Sequence, residues 1–202
     1  MSILKQFKGL EISYSPVCST IGDNKLKVER SVAVAVEIEM VRKTETTPSL
    51  VIFTDGACTN NQARYGQKAG YAIVCPNHPA HNWAGPLIDN NKTNNRAEMR
   101  GLIKAFEAAR AIDPSYRETM HLYSDSMLVI DGATKWLAGW KKKGWKKRDG
   151  SQVLNQDLWM IIDNEMVRRK VKFIHVRAHT GGSDWASRWN AEADRAATGA
   201  CA

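Results

Sequence analysis

From Leu50 onward, short apolar runs alternate with segments of helical period, and this alternation limits the architecture more than any other feature of the 202-residue chain. Leu50–Thr54 is a short β-rich run, and Gly70–Cys75 and Trp83–Ile88 read as two further strands of a meander. Asn94–Ile112 has helical period, with Leu102, Phe106, Ala109 and Ile112 on one stripe. His121–Ser124 is again a strand and Ser126–Ala133 a short helix. Asn155–Arg169 reads as a helix with Leu158, Ile161, Ile162 and Met166 inward. Val171–Val176 is a strand and Ser187–Thr198 a final helix. Three antiparallel strands followed by alternating helices and strands predict an α/β fold, a five-stranded mixed sheet flanked by helices.

Residues 1–49 follow another pattern. Leu26, Val28, Val32, Val34, Val36, Ile38 and Met40 occupy even positions, against Lys25, Lys27, Glu29, Glu37 and Glu39 on odd ones. Such alternation predicts a long half-buried strand. Leu10, Ile12 and Tyr14 alternate likewise, with turn chemistry at Gly22-Asp23-Asn24 between the runs. We read 1–49 as an N-terminal β-hairpin-like extension of unknown role, open to self-association through a strand edge, and 50–202 as the main domain.

The apolar fraction of 43% and charged fraction of 25% are ordinary for a globular chain. The longest aliphatic run, Val32–Val36, is far short of the ~20 residues a membrane span requires. The first thirty residues lack a secretory h-region, and Glu11, Asp23 and Glu29 disfavour a mitochondrial presequence. The expectation is a soluble, intracellular protein with no membrane partner; nuclear, cytoplasmic and organellar placement are not distinguished. Cys18, Cys58, Cys75 and Cys201 form no CxxC pair and no metal-ligand spacing, as expected of free thiols. The net charge of +8 favours a polyanionic partner. It is concentrated in one stretch: Lys135, Lys141, Lys142, Lys143, Lys146, Lys147 and Arg148 contain no acid among them and are interleaved with Trp136, Trp140 and Trp145. Residues 1–49, with seven cations and six acids, are nearly neutral.

Four acids stand where burial normally excludes them. Asp55 ends the first apolar strand and Asp125 the run Leu122-Tyr123-Ser124. Glu98 shares the core-facing stripe of Leu102 and Phe106, and Asp194 sits four residues after Asn190 on a small-residue helix face. Buried carboxylates are costly unless paired or metal-bound, and acids at the carboxyl ends of strands point at the usual site crevice of an α/β sheet. Singly, each reads as well as a cap or turn residue, Asp55-Gly56 above all. Spacing alone does not make them a cluster.

The motifs around these acids resemble a known family. Phe53-Thr54-Asp55-Gly56-Ala57, Thr93-Asn94-Asn95-Arg96-Ala97-Glu98, Tyr123-Ser124-Asp125-Ser126 and Asn190-Ala191-Glu192-Ala193-Asp194 look like the four ordered motifs of type 1 ribonuclease H. Trp136–Trp145 resembles that family's basic handle. The likeness covers about Leu50 to Thr198 and implies a ribonuclease H-like fold. It also implies an endonuclease that cuts the RNA strand of RNA–DNA hybrids with two Mg²⁺ ions, Mn²⁺ being a substitute, and leaves 5′-phosphate and 3′-hydroxyl ends. By resemblance, Asp55 bridges both ions, Glu98 and Asp125 hold the first and Asp194 the second. His179, before Thr180-Gly181-Gly182, matches the family's loop histidine for proton transfer or product departure, in a loop several residues longer than usual that carries Trp185, Arg188 and Trp189.

The resemblance also implies substrate contacts. Cys58, Asn61, Asn94 and Asn95 would face the minor groove, with Asn95 where the family commonly has glutamine. Thr93 and Asn155 match a pocket for a DNA phosphate, although Asn91 stands where an arginine is common. Trp136 and Trp140 would line the DNA-side channel, with Lys141, Lys142, Lys143 and Trp145 of the handle and Asn190 completing the set. A non-catalytic hybrid-binding module on the same fold is the alternative reading; its mark would be a missing acid, and none is missing.

Overall fold

The computed structural model describes residues 48–60, 66–178 and 183–201. The hairpin-like extension was expected over residues 1–49; its residues 1–47, and with them the self-association expected of it, lie outside the described residues. Five strands, β1 (Val51–Thr59), β2 (Lys68–Val74), β3 (Trp83–Pro86), β4 (Met120–Ser124) and β5 (Val171–His175), form one sheet in the order β3-β2-β1-β4-β5. β1 is antiparallel to β2 and β2 to β3, while β1–β4 and β4–β5 are parallel. The helices are α1 (Asn94–Ile112), α2 (Met127–Asp131), α3 (Leu137–Lys142), α4 (Gln156–Arg168) and α5 (Trp185–Gly199). This is the α/β mixed-sheet architecture expected from the sequence. Among the described residues, no helix is long and apolar enough to cross a membrane.

The pleat of β1 divides the core. Ile52, Ile73 and Leu122 pack with Met99, Leu102 and Phe106 of α1, whereas Val51, Phe53 and Val74 pack with Ala193 and Trp189 of α5. Each of these large side chains, when fully buried, contributes ~1.5–3 kcal/mol of transfer free energy. α1 begins where the sequence predicts, because Thr93 caps it: its Oγ1 accepts a hydrogen bond from the Arg96 N–H at 3.3 Å.

The strand expected to reach Ile88 ends at Pro86, and Ile161, expected inward, is exposed on α4; two further elements differ in their course. β1 does not stop at Thr54 but runs on to Thr59, because its pairing with β2 continues from Asp55↔Ala72 to Thr59↔Lys68. Its register with β4 ends at Phe53↔Tyr123, so the extension is paired on one side only. The helix expected over Ser126–Ala133 is α2 followed by a π-helical turn, Gly132–Trp136, that leads into α3. Gly132 at the start of that turn lies against the Trp159 ring of α4, in space a Cβ would fill.

Gly56 sets the distance between β1 and α1. A Cβ built there falls on the backbone of Ala97 and Glu98, so only glycine allows this approach. Gly56→Ala is expected to force α1 outward and lower stability by about 1–3 kcal/mol. That is a drop of roughly 3–10 °C for a domain of this size, readable in a thermal melt. An unchanged melting temperature would refute the close contact.

Candidate active site

The strand register brings two acids to one level. Phe53 and Tyr123 are register partners whose rings stack at 4.5 Å. Asp55 and Asp125 each lie two residues beyond, on the same pleat face as these rings. Glu98 arrives from the second turn of α1 across the Gly56 contact. One oxygen each from Asp55, Glu98 and Asp125 lie within 4.8 Å of one another. Asp55 and Glu98 are buried, at 5% and 6% exposure, and Asp125 is half-buried.

Burial and mutual repulsion both act on this group. Burial pushes the Asp55 carboxyl up to about 7, with the charges of Asp125 and Asp194 adding to the rise against the Gly56 N–H. Glu98 is raised well above the ordinary carboxylate range, first by burial and then by Asp55 and Asp125. Asp194, half-buried on α5, stands outside the 4.8 Å trio yet hydrogen-bonds and repels Asp55. Its Oδ1 also accepts a 3.5 Å hydrogen bond from Thr198.

Two buried acceptors in this region, Glu98 Oε2 and Asn190 Oδ1, have no hydrogen-bond partner among the described residues. An all-oxygen set with orphaned acceptors and carboxylates inclined to protonate fits a hard, hydrated divalent cation such as Mg²⁺.

The residues expected to contact substrate fall into three places. Cys58, Thr93, Asn94 and Asn95 converge at the N-terminus of α1, where the Cys58 thiol donates to the Lys92 carbonyl at 3.7 Å. Asn155, left-handed at φ 57°, caps α4 and joins the same region through Arg96, whose Nη1 donates to Asn155 Oδ1 at 3.3 Å. Asn190 is instead buried at 4% exposure, which leaves almost none of its side chain for a duplex. His179 and Asn61 lie outside the described residues.

Arg96 was not singled out by sequence reasoning. It bonds Asp89 through Nε at 2.9 Å and Asp157 through Nη1 and Nη2 at 3.0 and 2.7 Å. Arg96 thus links the two caps, its backbone N–H donating to Thr93 Oγ1 and its guanidinium to Asn155 Oδ1. The signal was present, an arginine inside a motif otherwise made of small and amide residues, but its partners lie far off in sequence.

The basic stretch forms a groove of about 280 Å³ lined by Lys135, Trp136, Gly139, Trp140, Lys143, Lys146, Lys147 and Arg148. Trp136 is 41% exposed and its ring lies 5.7 Å from that of Trp140, which in turn abuts Trp159 at 5.5 Å. Trp145 packs against the core rather than lining the groove. Lys141 is engaged with Asp163 of α4 at 2.7 Å, and Lys142 is exposed beside it.

Comparison with known proteins places this geometry. Residues 47–202 match the RNase H family. The chain is 39% identical over 132 residues to a ribonuclease H of a Cyanothece species, covering 65% of this chain and 79% of that protein. It is 35% identical over 150 residues to ribonuclease H1 of Rattus norvegicus, where it spans 74% of this chain and only 49% of the relative. In fold it is similar to the PFV RNase H domain, with a TM-score of 0.61 and 24% identity over 75% of this chain and 93% of that one.

The raised carboxylates set a pH dependence. Asp55 in the native state holds a proton that the unfolded chain has released above its ordinary carboxylate range, so its contribution is full below about 4 and is lost as pH rises through about 7; the raised Glu98 acts in the same direction. Without divalent cations the melting temperature is expected to fall across that window, and Mg²⁺ to raise it far more at pH 8 than at pH 5. Melting curves of the wild type and Asp55→Asn test this; an equal Mg²⁺ effect at both pH values would contradict it.

Proposed function

This chain belongs to the RNase H family, and from that premise we propose that it is an endonuclease cutting the RNA strand of RNA–DNA hybrids by two-metal-ion catalysis. The observation that carries the reading is the convergence of Asp55, Glu98 and Asp125 within 4.8 Å just beyond the last register pair of β1 and β4. Asp55, Glu98 and Asp125 would hold one Mg²⁺, and Asp55 with Asp194 the other; Mn²⁺ suits the same oxygen ligands. Such ions, when bound, make water a stronger nucleophile and neutralise charge on the leaving 3′ oxygen, which yields 5′-phosphate and 3′-hydroxyl ends.

The chain's own residues do the positioning. The Gly56 contact and the Phe53–Tyr123 register hold the carboxylates together before substrate arrives, so little reorganisation remains for the chemical step. Cys58, Asn61, Asn94 and Asn95 would read 2′-hydroxyls on one strand. Thr93 and Asn155 would grip a phosphate of the other, with Trp136 and Trp140 packing on its sugars. In this reading 50–202 is the catalytic domain, and His179 assists proton transfer or product departure.

Asp125→Asn tests the cation role. The amide keeps the shape but is a far poorer ligand for a hard cation. The variant is expected to fold and bind hybrid normally while cleavage falls by several orders of magnitude, on the order of 10³ or more for a lost transition-state interaction of ~4 kcal/mol. Near-normal turnover in single-turnover assays would refute the assignment.

The handle's part is testable through salt. Each lysine that neutralises a phosphate adds roughly 0.7–0.9 to the slope of log affinity against log salt. Replacing Lys143, Lys146 and Lys147 by Ala is expected to flatten that slope for every hybrid sequence alike. Lys141→Ala, which breaks the ion pair with Asp163, should leave it nearly unchanged. Equal slopes for the triple variant and the wild type would remove the groove from the binding surface.

A further inference from the structure

α5 covers only part of the sheet face it packs on. It lies across β1 and β2, with Ala193 and Trp189 against Val51, Phe53 and Val74. The same face continues onto β4 and β5, where the register sets Tyr123 beside Ile174 and His121 beside Lys172. Tyr123, Ile174 and His121 are half-buried and Lys172 is exposed, so among the described residues this strip has no helix over it. Trp185, the first residue of α5, stands at its margin. The indole meets Phe53 at 5.3 Å and Tyr123 at 5.7 Å, inclined 65° and 75° to that stacked pair, yet it is 42% exposed. The two rings fix it without covering it.

A single exposed aromatic is ordinary, but this one is bordered by uncompensated positive charge. Arg188, three residues on, shares its helix surface. Arg188 and Lys172 are exposed and form no ion pair among the described residues. Lys104, Lys135 and Lys141, by contrast, are matched by Glu107, Asp131 and Asp163. Burial and the Lys172 charge hold the His121 imidazole below its ordinary range, as expected of neighbours on one face. No acid occurs in the sequence between Glu165 and Asp184, and Asp184 is engaged in capping α5 through Ser187. A fixed, open aromatic ring flanked by free cations is the composition that holds single-stranded nucleic acid.

We propose that this strip, from Trp185 to Lys172, binds single-stranded RNA that continues beyond the hybrid: an unpaired base stacks on Trp185, and Lys172 and Arg188 hold the flanking phosphates. Bases inside a duplex are already stacked on one another, so the indole selects an unpaired one. The RNA strand is the occupant because Tyr123 lies two residues before Asp125, where the cut strand sits in the reading above, on which this inference rests. Lys172 lies two residues, roughly 6.6 Å, along β5 from Ile174, so the strip leads away from the carboxylates.

The test compares one hybrid in three forms: blunt, with an unpaired RNA tail of roughly six nucleotides, and with the same tail in DNA. Each tail is placed in turn at the 5′ and at the 3′ end. Affinities of the full chain are measured in EDTA, and cleavage of the blunt hybrid with Mg²⁺. An RNA tail at one end is expected to tighten binding about 5–100-fold, the worth of one stacked base. Trp185→Ala should abolish that gain and leave binding and cutting of the blunt hybrid unchanged. It also removes packing on Phe53 and Tyr123, so Lys172→Gln with Arg188→Gln is the second variant, both side chains being exposed. There the tail's contribution to the salt slope should fall by roughly 1.4, two contacts at about 0.7 each for a single strand. A gain that DNA tails give equally, or that survives both variants, would overturn the proposal. A changed solution mass of Trp185→Ala without nucleic acid would overturn it too, by assigning the strip to a second copy of the chain. If the blunt hybrid is cut while RNA tails add nothing at either end, only the role of the strip fails. If the wild type neither binds nor cuts the blunt hybrid, the hybrid-cutting reading fails and this inference with it.

Discussion

Repulsion among Asp55, Glu98 and Asp125 is the constraint around which this fold is arranged. Carboxylates within 4.8 Å of one another, two of them buried, oppose folding unless protonated or neutralised by a cation. The chain holds them by rigid means. Parallel register fixes Asp55 level with Asp125, a glycine lets α1 come close enough to deliver Glu98, and the Thr93 cap sets where that helix starts. Stability is given up locally for a preformed oxygen-lined centre, and the large apolar core on both faces of the sheet offsets it.

A cation beside this centre would neutralise the carboxylates and compete with a metal. Arg96, close in sequence to Glu98, is saturated by Asp89 and Asp157. The cations of the handle gather instead around the Trp136–Trp140 groove. The result is a separation of roles: anionic oxygens where β1 and β4 part, and a cationic, aromatic groove suited to a polyanion.

Much of this was legible in the sequence, and the reasons are local. Asn94–Ile112 carried both its cap and its apolar stripe, so the helix was readable to the residue. Glu98 betrayed its burial by sharing that stripe with Leu102 and Phe106. What stayed hidden depended on partners distant in the chain. The continuation of β1 past Asp55 follows from pairing with β2, which overrides the turn chemistry of Asp55-Gly56. The π-helical turn after α2 involves Trp159, 27 positions beyond Gly132. The role of Arg96 needs Asp157, 61 residues away, and the burial of Asn190 needs Asp125, 65 away. Nor could lysine counting show that Lys141 faces Asp163 while Lys143 lines the groove.

The most direct test of the account is cleavage of a uniformly labelled RNA–DNA hybrid by the full chain, run with Mg²⁺ and with EDTA, beside RNA–RNA and DNA–DNA duplexes of the same sequence. The account predicts internal cuts in the RNA of the hybrid alone, with 5′-phosphate ends, and no cutting in EDTA. Cleavage that persists in EDTA, or that treats the three duplexes alike, would contradict it.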